Sequence, residues 1–376
     1  MPSVALVLDR FDPLFGGLEI WTHQLSQYLL EAGHEVHVVA FDFREPIDPR
    51  LIIHRLPKSS SKLERANLAE QCLGQLNVDV VHDMGVGWYF DILQPQAGTK
   101  YANYLYDLRS LSLLERLKRK ISPYYIRWYR EMRELEKRQY ASSRGIFIAV
   151  SRMVQNHMQG YYKVDSNRVR LVYNGVDIRR FSEKDRAVHR IQIRKKLGLG
   201  EEVLFLLAEH NPRLKGIQTA LKAVALLKKD HSNIHLALIG RGEAEIYKKM
   251  AKRWGITEQV TFCGFVDETM PYYMAADILV HPTFYDACSL VVLEAWASGL
   301  PLITTRFNGA GELMTPGIHG FLMEDPSDAA ELAMRMKLFL DASIRLNLGE
   351  EARSLGSKCS TEKNFKAIEK IYKEIS

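Results

Sequence analysis

Short apolar runs alternate with amphipathic segments along most of the chain. In the first half the apolar runs are SVALVL, EVHVVAF, LIIHRL, VDVVHDM, GIFIAVS and VRLVYN; in the second half they are EVLFLLAE, IHLALIG, QVTFCGF, DILVHPT and LPLITT. Segments with a helical period, such as LEIWTHQLSQYLLEAG and IQTALKAVALLKK, lie between them. Apolar strands alternating with helices indicate a parallel sheet covered on both faces. Because the pattern occurs twice, the sequence predicts an α/β protein with two doubly wound, Rossmann-like domains.

A polar stretch without any strand pattern, NGVDIRRFSEKDRAVHR, marks the boundary between the two halves. We predict an N-terminal domain over residues 1–177 and a C-terminal domain over residues 178–358. Residues 359–376 read as one amphipathic helix, which we expect to pack back on the N-terminal domain. Two domains also fit the length, since 376 residues are many for a single hydrophobic core.

The composition excludes several classes of protein. An apolar fraction of 47% and a charged fraction of 26% are those of an ordinary globular protein. No segment approaches the ~20 apolar residues of a membrane span, and the first residues do not read as a signal peptide. The four scattered cysteines form no CxxC pair, which argues against a disulfide framework or a zinc site. We therefore expect a cytoplasmic protein without a zinc site.

The positive charge is concentrated in one segment, residues 100–140. This segment contains eleven Lys and Arg residues against five Asp and Glu, and so accounts for the whole net charge of +6; it also contains seven Tyr and one Trp. Basic and aromatic residues on helices are typical of an element that lies at a membrane interface. The alternatives are a solvated helical pair packed on the sheet and a nucleic-acid surface, for which no motif is present. The candidate membrane residues are Arg116, Lys118, Arg119, Lys120, Arg127, Trp128 and Arg130.

Glycines and cations follow several of the predicted strands, at the edge where doubly wound domains bind ligands. Gly16 and Gly17 precede the first helix, where they either admit a ligand close to the backbone or form a tight turn. They are not part of a GxGxxG motif, so a nicotinamide cofactor is not indicated. Arg213 and Lys215 precede a helix N-terminus, which disfavours positive charge. A bound diphosphate would remove this conflict; solvated surface cations are the alternative.

A carboxylate pair brackets the start of another helix, in the stretch FYDACSLVVLEAWASGLPLITT. Asp286 lies in the loop, the helix begins near Ser289, and Glu294 lies within an apolar run. A buried carboxylate without partners is costly. The hydroxyls of a ribose would supply partners to Glu294, and the first amides of the helix would hold the attached phosphate. This reading adds Leu290 and Val291 to the site, together with the glycine turn at Gly240 and Arg241.

Taken in order, the motifs resemble those of the family 4 retaining glycosyltransferases, which have the GT-B fold of two Rossmann-like domains facing across a cleft. The resemblance covers nearly the whole chain. The nearest subgroup is similar to the lipopolysaccharide core glucosyltransferases, which have a comparable insert in the region of residues 100–140. The motifs that carry the resemblance are Gly16–Gly17, GHEVHVV, VSRMV, LVYNGVDIRRF, RLKG, GRGE, VTFCGFV, MAADILVHPT, LEAWASGLPLITT and GAGE.

The resemblance implies a role for each site residue. Lys215 and Arg213 would neutralise the donor diphosphate, Asp286 would hold the donor sugar, and Glu294 would bind the ribose. Gly16 and Gly17 would line the cleft, and Gln96 would stand where many relatives have a histidine near the reacting carbon. The chain departs from the family pattern at three positions, with Asp286 in place of Glu, Ser289 in place of Gly and His210 in place of Arg.

The expected function is retaining transfer of a hexose from a nucleotide sugar, with UDP favoured, to a lipid-linked glycan such as the lipopolysaccharide core. We expect no essential metal or cofactor, no nucleic-acid partner, and a monomer attached peripherally to the inner face of an anionic membrane. Two alternatives remain. One is a glycosyltransferase with a soluble acceptor, and the other is a non-catalytic scaffold that binds a nucleotide sugar.

Overall fold

The computed structural model describes residues 1–242 and 244–376 and divides them into two compact units. The N-terminal unit consists of Met1–Tyr173 and Lys363–Ser376, and the C-terminal unit of Asn174–Glu362. The division lies a few residues before the predicted boundary at 177, and the chain returns to the first unit at Lys363 instead of residue 359. Among the described residues, no helix is both long and apolar enough to cross a membrane.

Each unit contains one parallel sheet. This agrees with the two doubly wound domains that the sequence predicted. The N-terminal sheet has the order β3-β2-β1-β4-β5-β6-β7, and the C-terminal sheet the order β10-β9-β8-β11-β12-β13. The strands are β1 (Val4–Phe11), β2 (Val36–Phe43), β3 (Ile52–Arg55), β4 (Val80–Asp83), β5 (Ile92–Leu93), β6 (Ile146–Ala149), β7 (Val169–Leu171), β8 (Val203–Glu209), β9 (Ile234–Gly240), β10 (Val260–Gly264), β11 (Ile278–His281), β12 (Leu302–Thr305) and β13 (Gly320–Met323).

Helices cover the sheets of both units. They are α1 (Gly17–Glu31), α2 (Lys62–Leu73), α3 (Lys100–Arg109), α4 (Leu113–Ile121), α5 (Pro123–Ala141), α6 (Arg152–Tyr162), α7 (Glu183–Leu197), α8 (Ile217–Leu227), α9 (Ala244–Arg253), α10 (Met270–Ala275), α11 (Leu290–Ala297), α12 (Ala329–Leu338), α13 (Ala342–Gly356) and α14 (Thr361–Ile375).

The strand order reverses once in each sheet, beside the strand that begins the unit. In the N-terminal unit β1 pairs with β2 on one side and β4 on the other; in the C-terminal unit β8 lies between β9 and β11. The connections therefore diverge to opposite faces at these points and leave a crevice at the carboxyl ends of the strands. Ligands of doubly wound domains bind at such points.

Helix α14 is part of the core of the N-terminal unit. The Trp21 indole donates to Asn364 Oδ1 at 2.9 Å, and the Asn364 amide donates to the Tyr173 carbonyl at 2.7 Å. Tyr372 is fully buried and its hydroxyl lies 2.6 Å from His82 Nδ1. These contacts connect the last helix to the helix and strands at the start of the chain.

The basic segment predicted over residues 100–140 forms three helices, α3, α4 and α5. Helix α5 packs on the unit through buried Met132 and Leu135. Helix α4 buries no residue, although its sequence is strongly amphipathic. Four of its side chains, which we call the apolar stripe, are between 58% and 77% exposed: Leu113, Leu114, Leu117 and Ile121.

Several elements were not predicted from the sequence. Strand β5 has two residues, too few to show a period, and the four-residue strand β13 was also missed. Helix α7 begins within the stretch expected to be a polar boundary and continues to Leu197; it buries only Ile193 and Arg194, because its sequence has almost no apolar face.

Candidate functional site

Two loops meet at the carboxyl ends of β8 and β11, where the order of the C-terminal sheet reverses. The first loop, residues 210–216, ends at Gly216, which has a φ of +74° and precedes α8. A Cβ atom at Gly216 would lie 2.2 Å from the carbonyl oxygen of Pro282 in the second loop. The amide of Phe284 donates to the Leu214 carbonyl at 2.8 Å. Glycine is therefore required for the close approach that joins the loops.

Lys215 and Asp286 form an ion pair across these two loops. Lys215 Nζ lies 2.5 Å from Asp286 Oδ2 and 3.3 Å from the carbonyl oxygen of Tyr285. His281, the last residue of β11, places Nε2 3.2 Å from the same carboxylate oxygen. Each side chain of the ion pair is only 18% exposed. The residues predicted to bind the diphosphate and the sugar are thus in direct contact.

The charges around Asp286 determine whether its side chain is ionised. Burial raises the pKa of Asp286, but the Lys215 ammonium and the His281 imidazole outweigh it and hold that pKa well below its ordinary value. Burial lowers the pKa of His281. Asp286 is therefore a carboxylate at neutral pH, able to accept hydrogen bonds from hydroxyl groups.

Further positive charge converges on the same edge of the sheet. Gly240 ends β9, and Arg241 follows it with its guanidinium 4.1 Å from the centre of the Phe265 ring. Burial and the nearby charges of Arg241 and Lys215 lower the pKa of His210. Lys215 and Arg241 therefore place two cations near His210 at this edge, where the positive end of a helix and cations favour a bound anion.

Arg213 is half-buried in the first loop, and its carbonyl oxygen accepts the Gly216 amide at 3.1 Å. Glu243, which completes the GRGE motif, lies outside the described residues.

Helix α11 begins at Leu290, four residues after Asp286. Ser289 precedes the helix, is 2% exposed, and makes no side-chain cap to its own helix. The Ser289 amide donates to Asn308 Oδ1 at 3.4 Å. The next amides, those of Leu290 and Val291, belong to the first turn, where helical N–H groups have no partner within the helix. A phosphate oxygen is a suitable partner for them.

Glu294 lies one turn further along α11, between buried apolar neighbours. Burial raises its pKa, against the weaker opposing effects of the Tyr273 hydroxyl and the Arg180 guanidinium. The Tyr273 hydroxyl, fully buried, makes no hydrogen bond of ordinary length and angle with any described residue. A carboxyl group without strong partners in the protein is available to ligand hydroxyl groups.

The predicted residues of the N-terminal unit also lie after its strands. Gly16 precedes α1 with an extended backbone and Gly17 is its first residue. A Cβ atom at Gly16 would lie 2.8 Å from Glu19 Oε2, and burial raises the pKa of Glu19. Gln96 lies between β5 and α3, and its buried Nε2 has no hydrogen-bond partner among the described residues.

The predicted membrane residues differ in what surrounds them. Lys118, Lys120 and Arg130 are exposed. Arg119, in contrast, is mostly buried in an ion pair with Asp107, so it is not the surface charge that was predicted.

The remaining three members are also engaged in contacts. The Arg116 guanidinium donates to backbone carbonyls of the α3–α4 connection, Arg127 pairs with Glu131, and the half-buried Trp128 packs beside Tyr104. The Arg127 side chain is still 71% exposed, so among the predicted cations only Arg116 and Arg119 are partly or mostly buried.

Sequence reasoning missed three polar side chains of the site. They are His281, Tyr273 and Asn308, which contact or surround Asp286, Glu294 and the start of α11. The sequence did contain a signal for His281, because this polar residue follows directly on the apolar run ILV. Among residues 1–242 and 244–376, no group of three or more His, Cys, Asp or Glu side chains is placed to hold a metal ion.

Two family models match the chain. The model described as Glycosyltransferase Family 4 matches residues 15–180, and that described as Glycosyl transferases group 1 matches residues 201–341. A D-inositol 3-phosphate glycosyltransferase of Corynebacterium jeikeium is 32% identical over 244 residues, which are 61% of this chain. The match spans 57% of that relative, little more than half of its length.

Solved structures share the fold. WaaG, a glycosyltransferase involved in lipopolysaccharide biosynthesis, superposes with a TM-score of 0.83 at 21% identity over 99% of both chains. Anabaena HepE in complex with UDP-glucose superposes with a TM-score of 0.73 at 15% identity over 100% of both chains. The two family models together match residues 15–180 and 201–341 and show that the chain belongs to the family 4 glycosyltransferases, and the two parallel sheets with the structural matches show that it has the GT-B fold.

Proposed function

We propose that the protein is a retaining glycosyltransferase that transfers a hexose from UDP-hexose to a lipid-linked glycan, without a metal ion. The observation that carries this proposal is the ion pair of Lys215 with Asp286, which lies four residues before the first residue of α11, with Arg241 close enough to affect His210 beside it. Cations and helix amides together neutralise a diphosphate. The bound UDP-glucose of the structural neighbour HepE supports the choice of donor.

The same residues can carry the chemistry of transfer. The bond between the anomeric carbon and the diphosphate oxygen breaks while the acceptor oxygen bonds to the same face of the sugar, and the acceptor proton passes to the leaving phosphate oxygen. Lys215 and the first amides of α11 would stabilise the charge that develops on the diphosphate. Asp286, aligned by Lys215 and His281, would hold the sugar hydroxyls, and Glu294 the ribose diol.

The surface of α4 supports a lipid-linked acceptor. The apolar stripe stands next to exposed Lys118 and Lys120, the arrangement of helices that lie in the headgroup region of a membrane. Each basic residue near an anionic surface contributes ~1 kcal/mol, and the apolar side chains add to this attraction. We propose peripheral attachment to the inner face of a membrane through this helix.

A donor panel tests the proposed activity. The full chain is incubated with UDP- and GDP-hexoses and candidate acceptors, with and without EDTA, and released nucleoside diphosphate is measured. We expect release from a UDP-hexose that EDTA does not abolish, and an NMR spectrum of the product with the donor's anomeric configuration. Binding of UDP without turnover on any acceptor would favour a scaffold instead, and inversion of configuration would exclude the retaining mechanism.

A soluble acceptor is the second candidate. It is favoured by the relative named D-inositol 3-phosphate glycosyltransferase, which matches 61% of this chain. Sedimentation with vesicles that contain phosphatidylglycerol separates the candidates. A chain that stays in the supernatant while it glycosylates a soluble acceptor would refute membrane attachment.

A further inference from the structure

An open cavity of about 740 Å³ lies between α5 and the end of α6 in the N-terminal unit. Its volume is within the range of small-molecule sites. The cavity shares no residue with the proposed donor site, whose Lys215, Asp286 and Glu294 belong to the other unit. Its lining residues are mostly basic or aromatic, and the ones used below are Tyr129, Arg130, Arg133, Lys137, Tyr161 and Lys163.

The charges around this cavity are strongly unbalanced. Four cations line it, namely Arg130, Arg133, Lys137 and Lys163, against one carboxylate, Glu134. Glu134 pairs with Arg138, whose Nε lies 2.8 Å from Glu134 Oε1 and which is not a lining residue. Among the described residues, none of the four lining cations is paired with a carboxylate. The cavity therefore has the charge of an anion site.

Arg133 is held in a fixed orientation. Its guanidinium lies 4.0 Å from the centre of the Tyr101 ring, and Nη1 donates to the Tyr162 hydroxyl at 2.9 Å. That hydroxyl donates in turn to Glu136 Oε2 at 2.5 Å. Glu136 is 1% exposed and also accepts the Lys100 amide at the start of α3. An arginine oriented in this way loses little conformational entropy when it binds an anion.

The helix dipole explains only some of these cations. Lys163 caps the carboxyl end of α6, where positive charge is favourable without any ligand, whereas Lys137 lies just before the last turn of α5, in which Arg138 is the basic residue. Arg130 and Arg133 lie two or more turns before Ala141, outside the reach of that effect. Their presence at the cavity is therefore not accounted for by the helix ends.

The cavity also has exposed ring surface. Tyr161 is 39% exposed, with its ring 5.1 Å from that of Tyr101, and Tyr129 lines the same wall. Aromatic faces beside a polar group suit ligands that have both an apolar ring face and hydrophilic substituents. A pyranose has such a face in its axial C–H groups, and an inorganic anion has none.

We propose that this cavity binds a phosphorylated saccharide, with Arg130, Arg133 and Lys137 on the phosphate and Tyr129 and Tyr161 against the sugar ring. Resting on the proposed transferase function, the site would hold an anionic portion of the acceptor away from the donor residues. The phosphate would belong to a saccharide, and a lipid headgroup phosphate without a sugar ring is the alternative that the experiment distinguishes.

Glucose 1-phosphate and glucose are titrated calorimetrically into the full chain at low salt, with UDP present in excess to occupy the donor site. We expect glucose 1-phosphate to bind at least tenfold more tightly than glucose. The double variant Arg130→Gln, Lys137→Gln should weaken glucose 1-phosphate at least tenfold. Both of these side chains are exposed, so the fold should be retained, and the UDP affinity of the variant should equal that of the parent.

The matched control is Lys58→Gln, Lys370→Gln, which removes two exposed charges from the same unit away from the cavity. It should bind glucose 1-phosphate like the parent. Absence of binding to the parent, or equal losses in the two double variants, would overturn the proposal. Binding to phosphatidic acid vesicles without any binding of glucose 1-phosphate would also overturn it, in favour of a lipid headgroup site. Failure of UDP to bind the parent would refute the proposed function and leave the glucose 1-phosphate result to be judged alone.

Discussion

Replacing Lys215 by alanine isolates the ion pair on which the proposed donor site depends. The substitution leaves the Asp286 carboxylate mostly buried, with only the His281 contact at 3.2 Å. Removing one partner of a buried ion pair costs ~3–5 kcal/mol. Because His281 remains and each side chain is 18% exposed, we expect the lower end, about 3 kcal/mol. For a domain of this size that loss corresponds to a fall of about 6–12 °C in melting temperature.

Two further variants make the result interpretable. Lys248→Ala breaks the pair with Glu245, whose side chains are 50% and 77% exposed, and should cost less than about 1 kcal/mol. Lys215→Ala combined with Asp286→Ala should be more stable than Lys215→Ala alone, because no buried charge is left unpaired. Thermal unfolding and urea denaturation of the four proteins measure these differences at pH 7.

The pH dependence of folding stability is a second test of the same ion pair. Lys215 and His281 hold the pKa of Asp286 below its value in the unfolded chain. The stabilisation is therefore fully present above about pH 4 and is lost as the pH falls through the lower, folded pKa. A melting temperature of Lys215→Ala within ~2 °C of that of Lys248→Ala would refute this account of the pair. Unchanged turnover despite a large fall in melting temperature would show that Lys215 is structural and does not act on the diphosphate.

Three other variants test separate features of the protein. Glu294→Gln should weaken UDP binding about 10- to 100-fold in calorimetry, since a charge-assisted hydrogen bond contributes ~1.5–3 kcal/mol, and unchanged affinity would refute the ribose assignment. Burial raises the pKa of Asp83 to about 6, although hydrogen bonds from three backbone amides oppose this shift. The contribution of Asp83 to folding stability is therefore present below about pH 4 and is lost as the pH rises to about 6. Asp83→Asn should abolish that part of the pH dependence of urea unfolding, and an unaltered dependence would assign it to other groups. Replacing Lys118, Lys120 and Leu117 by Gln, Gln and Ser should reduce sedimentation with phosphatidylglycerol vesicles without altering UDP affinity; equal sedimentation of parent and variant would exclude α4 as the membrane contact.

Local patterns were sufficient for much of the fold because a parallel sheet imposes a strong local signature. Strands such as β1, whose first five residues are all buried, require continuous apolar runs, and the helices between them need one apolar face. The repeated alternation therefore predicted two doubly wound domains. It could not show β5, whose two residues are too short for any period, or α7, whose surface is charged on nearly every side.

The sequence by itself also determined which residues were candidates. Asp286, Glu294 and Lys215 were found because each breaks a local rule: a charge within an apolar run, or a cation before a helix. The basic segment was found by counting charges, but its composition could not distinguish exposed Lys118 from Arg119, which is paired with Asp107.

Only the tertiary structure decided which candidates meet. Lys215 and Asp286 are 71 positions apart, and they are in contact because β8 and β11 are neighbours in the sheet and end at the same edge. His281 and Tyr273 lie at the site because of the same packing. Strand order depends on the balance of long-range contacts over the whole unit. It cannot be deduced from a hydrophobic period of 2 or 3.6 residues, which reflects only local structure.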